Sequence, residues 1–202
     1  SAAQLLGVNG RVLPGTLSPD VVLNGMTRSG EVIRGESNVG TSEDPLKHVW
    51  LEPEHVMVNP AVIEAVRDAD VIVIGPGSLY TSVIPNFLVK NFRAVVEGSR
   101  VPKVFVCNVA TQPGETDGYG VAEHLQAFCE HTKITVTHVI ANNNIETLPA
   151  EWAQLAVQFR RPSGFTGSFI TADVVDEKLR TRHDPAKLAK LVIDIARKAR
   201  KD

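Results

Sequence analysis

In the middle of the chain, continuous apolar runs alternate with stretches in which apolar residues recur every three or four positions. The continuous runs predict strands at 70–74, 103–109 and 138–141, each buried on both faces. The periodic stretches predict helices from about 85 to 97 and from 121 to 131. Strands that alternate with helices of this length are typical of a doubly wound, Rossmann-like α/β fold. In that fold a mostly parallel sheet carries helices on both faces.

The two ends of the chain follow other patterns. Short alternating runs flank a turn at 28–31, and another short strand is predicted at 48–51, so residues 1–55 should form a small antiparallel β excursion. Asn59-Pro60 and Asp184-Pro185 each read as an N-cap followed by the first residue of a helix. We therefore expect a single α/β domain over residues 1–202. Its parts, with their expected bounds, are the β excursion at 1–55, the Rossmann-like core at 56–148, and a C-terminal strand and helix within 149–202.

Composition narrows the class of protein. The 202 residues are 43% hydrophobic and 22% charged, which suits one globular domain with a sizeable core. With 21 basic and 23 acidic residues, the chain has no excess of positive charge for nucleic acid. No apolar run is long enough to span a membrane, and the first residues do not resemble a signal peptide. Cys107 and Cys129 lie in apolar stretches and predict reduced thiols, so we expect a cytoplasmic protein.

The segment GPGSLYTS follows the first predicted core strand and precedes a helix. Glycines there allow close approach of the backbone to a ligand, and a helix N-terminus offers unpaired N–H groups to an anion. The segment matches neither the Walker loop nor the dinucleotide fingerprint, so an ordinary strand-to-helix turn is the alternative. Leu79 and Tyr80 form either a wall for a base or sugar or part of the core, and Thr81 is either a ligand donor or a cap. The candidate ligand-binding residues in this loop are Gly75, Gly77, Ser78, Leu79, Tyr80 and Thr81.

Two more polar loops follow the next strands, and ligands of parallel sheets bind beyond the carboxyl ends of strands. The candidates in the second loop are Asn108, Thr111, Gln112 and Glu115. Glu115 would contact a sugar hydroxyl or a metal, or else cap the turn. Asn142 ends the third strand and suits either turn geometry or recognition of a base. Near the C-terminal helix, Arg182 is a candidate because a guanidinium holds a phosphate bidentately, whereas His124 reads as a structural histidine.

Four motifs together resemble one family. They are GRVLPGT at 10–16, GEVIRGES at 30–37, GPGSLYTSVIPNFLV at 75–89 and VCNVATQPGETDGYG at 106–120. In this order they resemble the gluconeogenesis factor family, the YvcK-like proteins related to CofD-type 2-phospho-L-lactate transferases, over most of residues 8 to 148. The Arg182-His183-Asp184 stretch is similar to the end of that family.

The resemblance implies a Rossmann-like core that binds a UDP-sugar or another nucleotide diphosphate. The gluconeogenesis factor branch implies a non-catalytic regulator of cell shape and of cell-wall (peptidoglycan) synthesis on gluconeogenic carbon sources, acting on an unidentified metabolic or cell-wall partner. The transferase branch implies an enzyme that moves a lactyl phosphate from a nucleotide diphosphate to a deazaflavin. No cofactor is expected in this chain, and magnesium is expected only if the transferase alternative holds.

The sequence also departs from the family pattern. A GGGTG loop, an acidic DDGG segment and a GHSLGN stretch are expected upstream of GRVLPGT and do not occur here. The chain thus looks like the C-terminal two-thirds of a family member. Its central sheet should expose apolar edges, so that the chain forms a homo-oligomer or receives the remaining part separately.

Overall fold

The computed structural model describes residues 10–145 and 155–201. The first sheet is the expected β excursion, in which β1 (Val22–Thr27), β2 (Val32–Arg34) and β3 (Leu46–Glu52) pair antiparallel in the order β2-β1-β3. The turn between β1 and β2 falls at 28–31, as the alternation predicts. Gly30 has φ of 95° in that turn, a conformation that favours glycine.

The second sheet is parallel throughout. Its strands β4 (Ile72–Ile74), β5 (Lys103–Val106), β6 (His138–Asn142) and β7 (Ser168–Ala172) lie in the order β4-β5-β6-β7. This arrangement confirms the predicted α/β class. The second strand is shorter than the predicted 103–109.

Helices connect and cover the strands. In chain order they are α1 (Glu36–Val39), α2 (Pro60–Arg67), a π-helical turn (Leu79–Val83) continuous with α3 (Ile84–Leu88), α4 (Phe92–Gly98), α5 (Val121–Thr132) and α6 (Pro185–Ala199). Both predicted N-caps are present. The Asn59 side chain accepts a hydrogen bond from the Ala61 N–H, and the Asp184 carboxylate accepts bonds from the N–H groups of Ala186 and Lys187.

The single helix predicted at 85–97 is wrong, because the chain leaves the helix after α3. Lys90 pairs instead with the segment before α2: its N–H donates to the Val56 carbonyl at 2.7 Å, and its carbonyl accepts from the Val58 N–H. Asn91 then adopts φ of 70° before α4 begins. Apolar periodicity continues through the break, since Val89 is itself buried, and so the pattern could not reveal it.

The parallel sheet has helices on both faces. Successive residues of β5 alternate between two apolar clusters, as the period of a strand requires. Val104 and Val106 belong to the cluster that includes Ile195 of α6, whereas Phe105 faces Phe128 of α5 at a ring-centroid distance of 5.3 Å. β5 therefore contributes side chains to the apolar clusters on both faces of the sheet.

β4 ends the parallel sheet on one side, among the described residues, and exposes apolar surface there. Val73 is 41% exposed, and a largely apolar groove of about 520 Å³ runs between β4 and α2. Such an edge is what the sequence analysis expects. Within the described ranges no helix is long and apolar enough to cross a membrane. Both cysteines are free thiols, Cys107 buried and Cys129 half-buried.

Candidate functional site

A cavity of about 430 Å³ lies at the carboxyl ends of β4 and β5. Three segments supply most of its lining: the loop after β4, the loop after β5, and the residues that lead into α6. Leu155 also lines it. Five of the sequence-predicted residues line it, namely Gly77, Asn108, Thr111, Gln112 and Arg182. The topology thus brings together residues that are as much as 105 positions apart, from Gly77 to Arg182.

The first two loops are tied to each other by Asn108. Its Oδ1 accepts the Gly77 N–H at 3.2 Å, and its Nδ2 donates to the Gly77 carbonyl at 2.9 Å. Gly75 precedes this contact with φ of 78°, and a Cβ on Gly75 would lie 3.0 Å from the Val106 carbonyl oxygen. From the sequence, the Gly77 N–H is expected to contact a phosphate or a ribose. In the structure this N–H donates to the Asn108 side chain, and the two loops are thereby fixed to each other as one wall of the cavity.

A second tie joins Ser78 to Gln112. The Ser78 hydroxyl donates to the Gln112 amide oxygen at 2.7 Å, and the Gln112 Nε2 donates to Glu115 at 3.3 Å. The Gln112 backbone N–H donates to the Thr116 hydroxyl, which fixes the start of the turn. Gln112 is half-buried and lines the cavity, so its side chain is held in place before any ligand arrives.

Glu115 does not line the cavity, because its side chain turns inward and is only 1% exposed. Its carboxylate accepts the Tyr80 N–H at 3.1 Å and the Thr81 hydroxyl at 2.8 Å, at the start of the π-helical turn. Burial raises the pKa of Glu115, and the bonds from Thr81 and Tyr80 oppose that shift. The carboxylate occupies the place where a helix N-terminus would bind an anion. Of the predicted alternatives for Glu115, this geometry matches the cap.

Leu79 and Tyr80 lie in the core, each 2% exposed, and neither lines the cavity. The Tyr80 hydroxyl bonds the Tyr119 hydroxyl at 2.9 Å, and burial raises the pKa of Tyr80 well above its ordinary value. Of the two alternatives for Leu79 and Tyr80, the structure matches packing in the core. The reason is that the chain begins to coil at Leu79, which turns both apolar side chains inward.

Asn142 also lies away from the cavity, and its side-chain oxygen and nitrogen both bond within the protein. Its Oδ1 accepts the N–H groups of Asn144 and Val174, and its Nδ2 donates to the Asn144 carbonyl. This pattern is an Asx turn, which satisfies the end of the strand without a ligand. The turn alternative for Asn142 therefore matches the structure.

The third wall carries charge. Arg182 is exposed, lines the cavity and makes no ion pair with any residue in the described ranges. Beside it, the His183 Nε2 bonds the Cys107 carbonyl at 3.1 Å, which makes Nε2 the donor. Burial lowers the pKa of His183, so this imidazole is neutral near pH 7.

Thr181 and His183 also line the cavity, although neither is among the predicted ligand-binding residues. The chain returns to the cavity because Val175 and His183 form an isolated antiparallel bridge after β7. The signal available beforehand was the position of this segment directly before the Asp184 N-cap. Periodicity carries no information about such a return, because a single bridge has no repeat.

The magnesium that the transferase branch would use does not fit the described residues. Among residues 10–145 and 155–201, no group of three or more His, Cys, Asp or Glu side chains is placed to hold a metal ion. Glu115 is the acidic candidate, and its oxygens already accept three hydrogen bonds.

The family described as 2-phospho-L-lactate transferase CofD matches residues 1–163 of the chain. The chain belongs to the CofD family. Among similar proteins, the gluconeogenesis factor of Bacillus subtilis is 36% identical over 203 residues, and that of Halalkalibacterium halodurans is 33% identical over 201 residues. These alignments cover 96% and 95% of this chain but 63% and 62% of the two relatives, so the CofD-family chain spans less than two-thirds of their length.

The solved structures agree with this family assignment. The crystal structure of a UPF0052-family protein from Bacillus halodurans matches 95% of this CofD-family chain and 64% of its own, with a TM-score of 0.84 at 33% identity. The α/β architecture of this chain therefore occurs in a solved relative.

Proposed function

We propose that this CofD-family chain binds a UDP-sugar in the cavity at the ends of β4 and β5. The observation that carries the proposal is Arg182, an exposed guanidinium without an ion-pair partner in the described ranges, which faces a braced polar wall. A guanidinium suits a diphosphate because its fork of N–H donors matches two phosphate oxygens. The cavity volume of about 430 Å³ lies in the range of small-molecule sites.

The opposite wall supplies the polar groups that a sugar or ribose requires. Gln112 retains amide hydrogen-bonding capacity beyond its bonds to Ser78 and Glu115, and Thr111 adds a hydroxyl nearby. The loop N–H groups of Gly77 and Tyr80 are already satisfied. We therefore assign the diphosphate to the Arg182 side of the cavity and the hydroxyl-bearing part of the ligand to the Gln112 side.

The role proposed for this binding is regulation. The relatives bear the name gluconeogenesis factor, and the resemblance of the loops is to that branch. In the proposal, the occupied cavity favours contact with a metabolic or cell-wall partner, and so supports cell shape and peptidoglycan synthesis on gluconeogenic carbon sources. Two free cysteines suit a reducing compartment, and we assign the protein to the cytoplasm.

Calorimetric titration of the chain with UDP-N-acetylglucosamine, UDP-glucose and GDP tests the ligand. We expect both UDP-sugars to bind more tightly than GDP. Arg182→Ala should weaken binding by about 1.5–3 kcal/mol, the range for a hydrogen bond to a charged group, with little change in unfolding temperature.

The matched control is Arg197→Ala, which removes an equal charge from the exposed side of α6. It should leave the affinity unchanged, because it lies outside the cavity lining. Equal affinities for the Arg182→Ala variant and the parent would remove Arg182 from the site. Preference for GDP with magnesium and a deazaflavin would replace the regulatory proposal by the transferase.

A further inference from the structure

We propose that Glu115 is the positioning residue of this cavity, because it fixes the orientation of the Gln112 side-chain amide that faces the ligand. The inference rests on the proposed function, in that the ligand is taken to be a UDP-sugar. It assigns to Glu115 a role that differs from ligand contact and from metal binding. The carboxylate acts through Gln112 and does not touch the ligand.

The hydrogen bonds of Gln112 allow one orientation of its amide. Its oxygen accepts the Ser78 hydroxyl at 2.7 Å, and its nitrogen donates to the Glu115 Oε1 at 3.3 Å. An ionised carboxylate accepts and never donates, so the amide nitrogen, rather than the oxygen, must face Glu115. One N–H and one oxygen lone pair of Gln112 then remain for a ligand.

Glu115 is itself held firmly enough to set this orientation. Its other bonds, to the Tyr80 N–H and the Thr81 hydroxyl, anchor it to the start of the π-helical turn. The backbone beside it is closely packed as well. Gly114 has φ of 84°, and a Cβ there would overlap the Ser42 carbonyl oxygen.

The Glu115 carboxylate is also shielded from water. Glu115 is 1% exposed, and a Cβ on Gly40 would lie 3.6 Å from its Oε1. A buried carboxylate loses much free energy when its donors are removed, so it selects strongly for a donor at Gln112. An exposed glutamate would exert no such selection, because water would replace the missing donor.

A double-mutant cycle on ligand affinity tests the inference. Glu115→Gln keeps the shape but presents an amide that donates as well as accepts, so Gln112 loses its fixed orientation. In the parent background we expect this change to weaken UDP-N-acetylglucosamine binding about tenfold, and in the Gln112→Ala background less than about twofold. Equal losses in both backgrounds, or no loss in the parent, would overturn the positioning role.

A second measurement needs no ligand. The side-chain amide signals of Gln112 in a ¹⁵N–¹H spectrum are identified by their loss in Gln112→Ala. Glu115→Gln should shift these signals and speed their exchange with water, because a neutral amide accepts a weaker hydrogen bond than the carboxylate and can turn its own NH₂ group toward Gln112. The matched control is Glu123→Gln, which alters a carboxylate bonded to the Gly120 N–H at the start of α5 and should leave the Gln112 signals unchanged.

The two measurements separate the two proposals. If the parent does not bind the UDP-sugar but Glu115→Gln shifts the Gln112 signals, the ligand assignment is wrong and the positioning of Gln112 stands. If the sugar binds and the Gln112 signals do not move, the positioning role is overturned and the proposed function stands.

Discussion

The loops after β4 and β5 and those after β6 and β7 lie at one edge of the same sheet, yet they end in different ways. On the β6–β7 side, Asn142 satisfies its own turn and the Val174 N–H, and the Asn143 N–H donates to the Ala172 carbonyl. On the β4–β5 side, Asn108 reaches across to Gly77. Asn142 makes two of its three bonds within its own turn and one to the loop after β7, whereas both bonds of Asn108 run between loops. An amide used between two loops holds them as a wall, and a cavity remains beside it.

The largest effect is expected where the β4–β5 side can be broken outright. Gly114→Ala places a Cβ against the Ser42 carbonyl in a backbone conformation that disfavours alanine. We expect a loss of about 3 kcal/mol or more in the free energy of unfolding, or roughly 6–12 °C in unfolding temperature for a chain of this size. Calorimetry or circular dichroism on heating measures it.

Gly98→Ala is the control for Gly114→Ala. Gly98 ends α4 with nothing within 4 Å of its added Cβ, so alanine should be neutral or slightly stabilising there. Similar unfolding temperatures for the two variants would show that Gly114 is not a tight contact.

An intermediate effect separates the two asparagines. Asn108→Ala removes the partner of the half-buried Gly77 N–H, and Asn142→Ala removes the partner of the buried Val174 N–H; each should cost about 1–3 kcal/mol of stability. Only Asn108→Ala should also weaken UDP-N-acetylglucosamine binding, since only Asn108 belongs to the cavity wall. Denaturant unfolding and calorimetric titration on both variants measure the difference. A matching loss of affinity in Asn142→Ala would mean that the β6–β7 side is also part of the site.

The smallest effect is a drift of stability with pH. Burial raises the pKa of Glu115 in the folded state above its ordinary value of 4.5, and Glu36 raises it further. The unfolded chain therefore releases this proton first as pH rises. As the pH rises from the unfolded to the folded pKa of Glu115, the parent should lose stability relative to Glu115→Gln. Above the folded pKa, the difference in stability between the two proteins should stay constant.

Unfolding temperatures of the parent and of Glu115→Gln from about pH 4 to about pH 8 measure this drift. Glu123→Gln, the same substitution at an exposed carboxylate, is measured alongside. A parent that gains stability over Glu115→Gln as the pH rises would contradict the sign.

The sequence predicted the fold well because strands and helices leave periodic traces. It missed the break at Lys90, where a pairing with Val56 ends the helix although the apolar rhythm continues. Strand ends indicated the loops of the cavity, since parallel strands bring their carboxyl ends to one edge. Which side chain at a strand end faces outward depends on local coiling and on partners far along the chain. For that reason Tyr80 appeared among the candidates and His183 did not.

Cys107 lies behind His183, outside the cavity lining, and its thiol can report local opening of the structure there. Its carbonyl accepts the His183 bond, its side chain is 1% exposed, and burial raises the pKa of its thiol, so it resists alkylation while the fold is intact. The half-buried Cys129 should be alkylated before Cys107 and serves as the internal reference. Alkylation of Cys107 should then require local opening of the structure near His183. A ligand that bridges Arg182 and Gln112 should slow that alkylation, because it makes the opening less frequent.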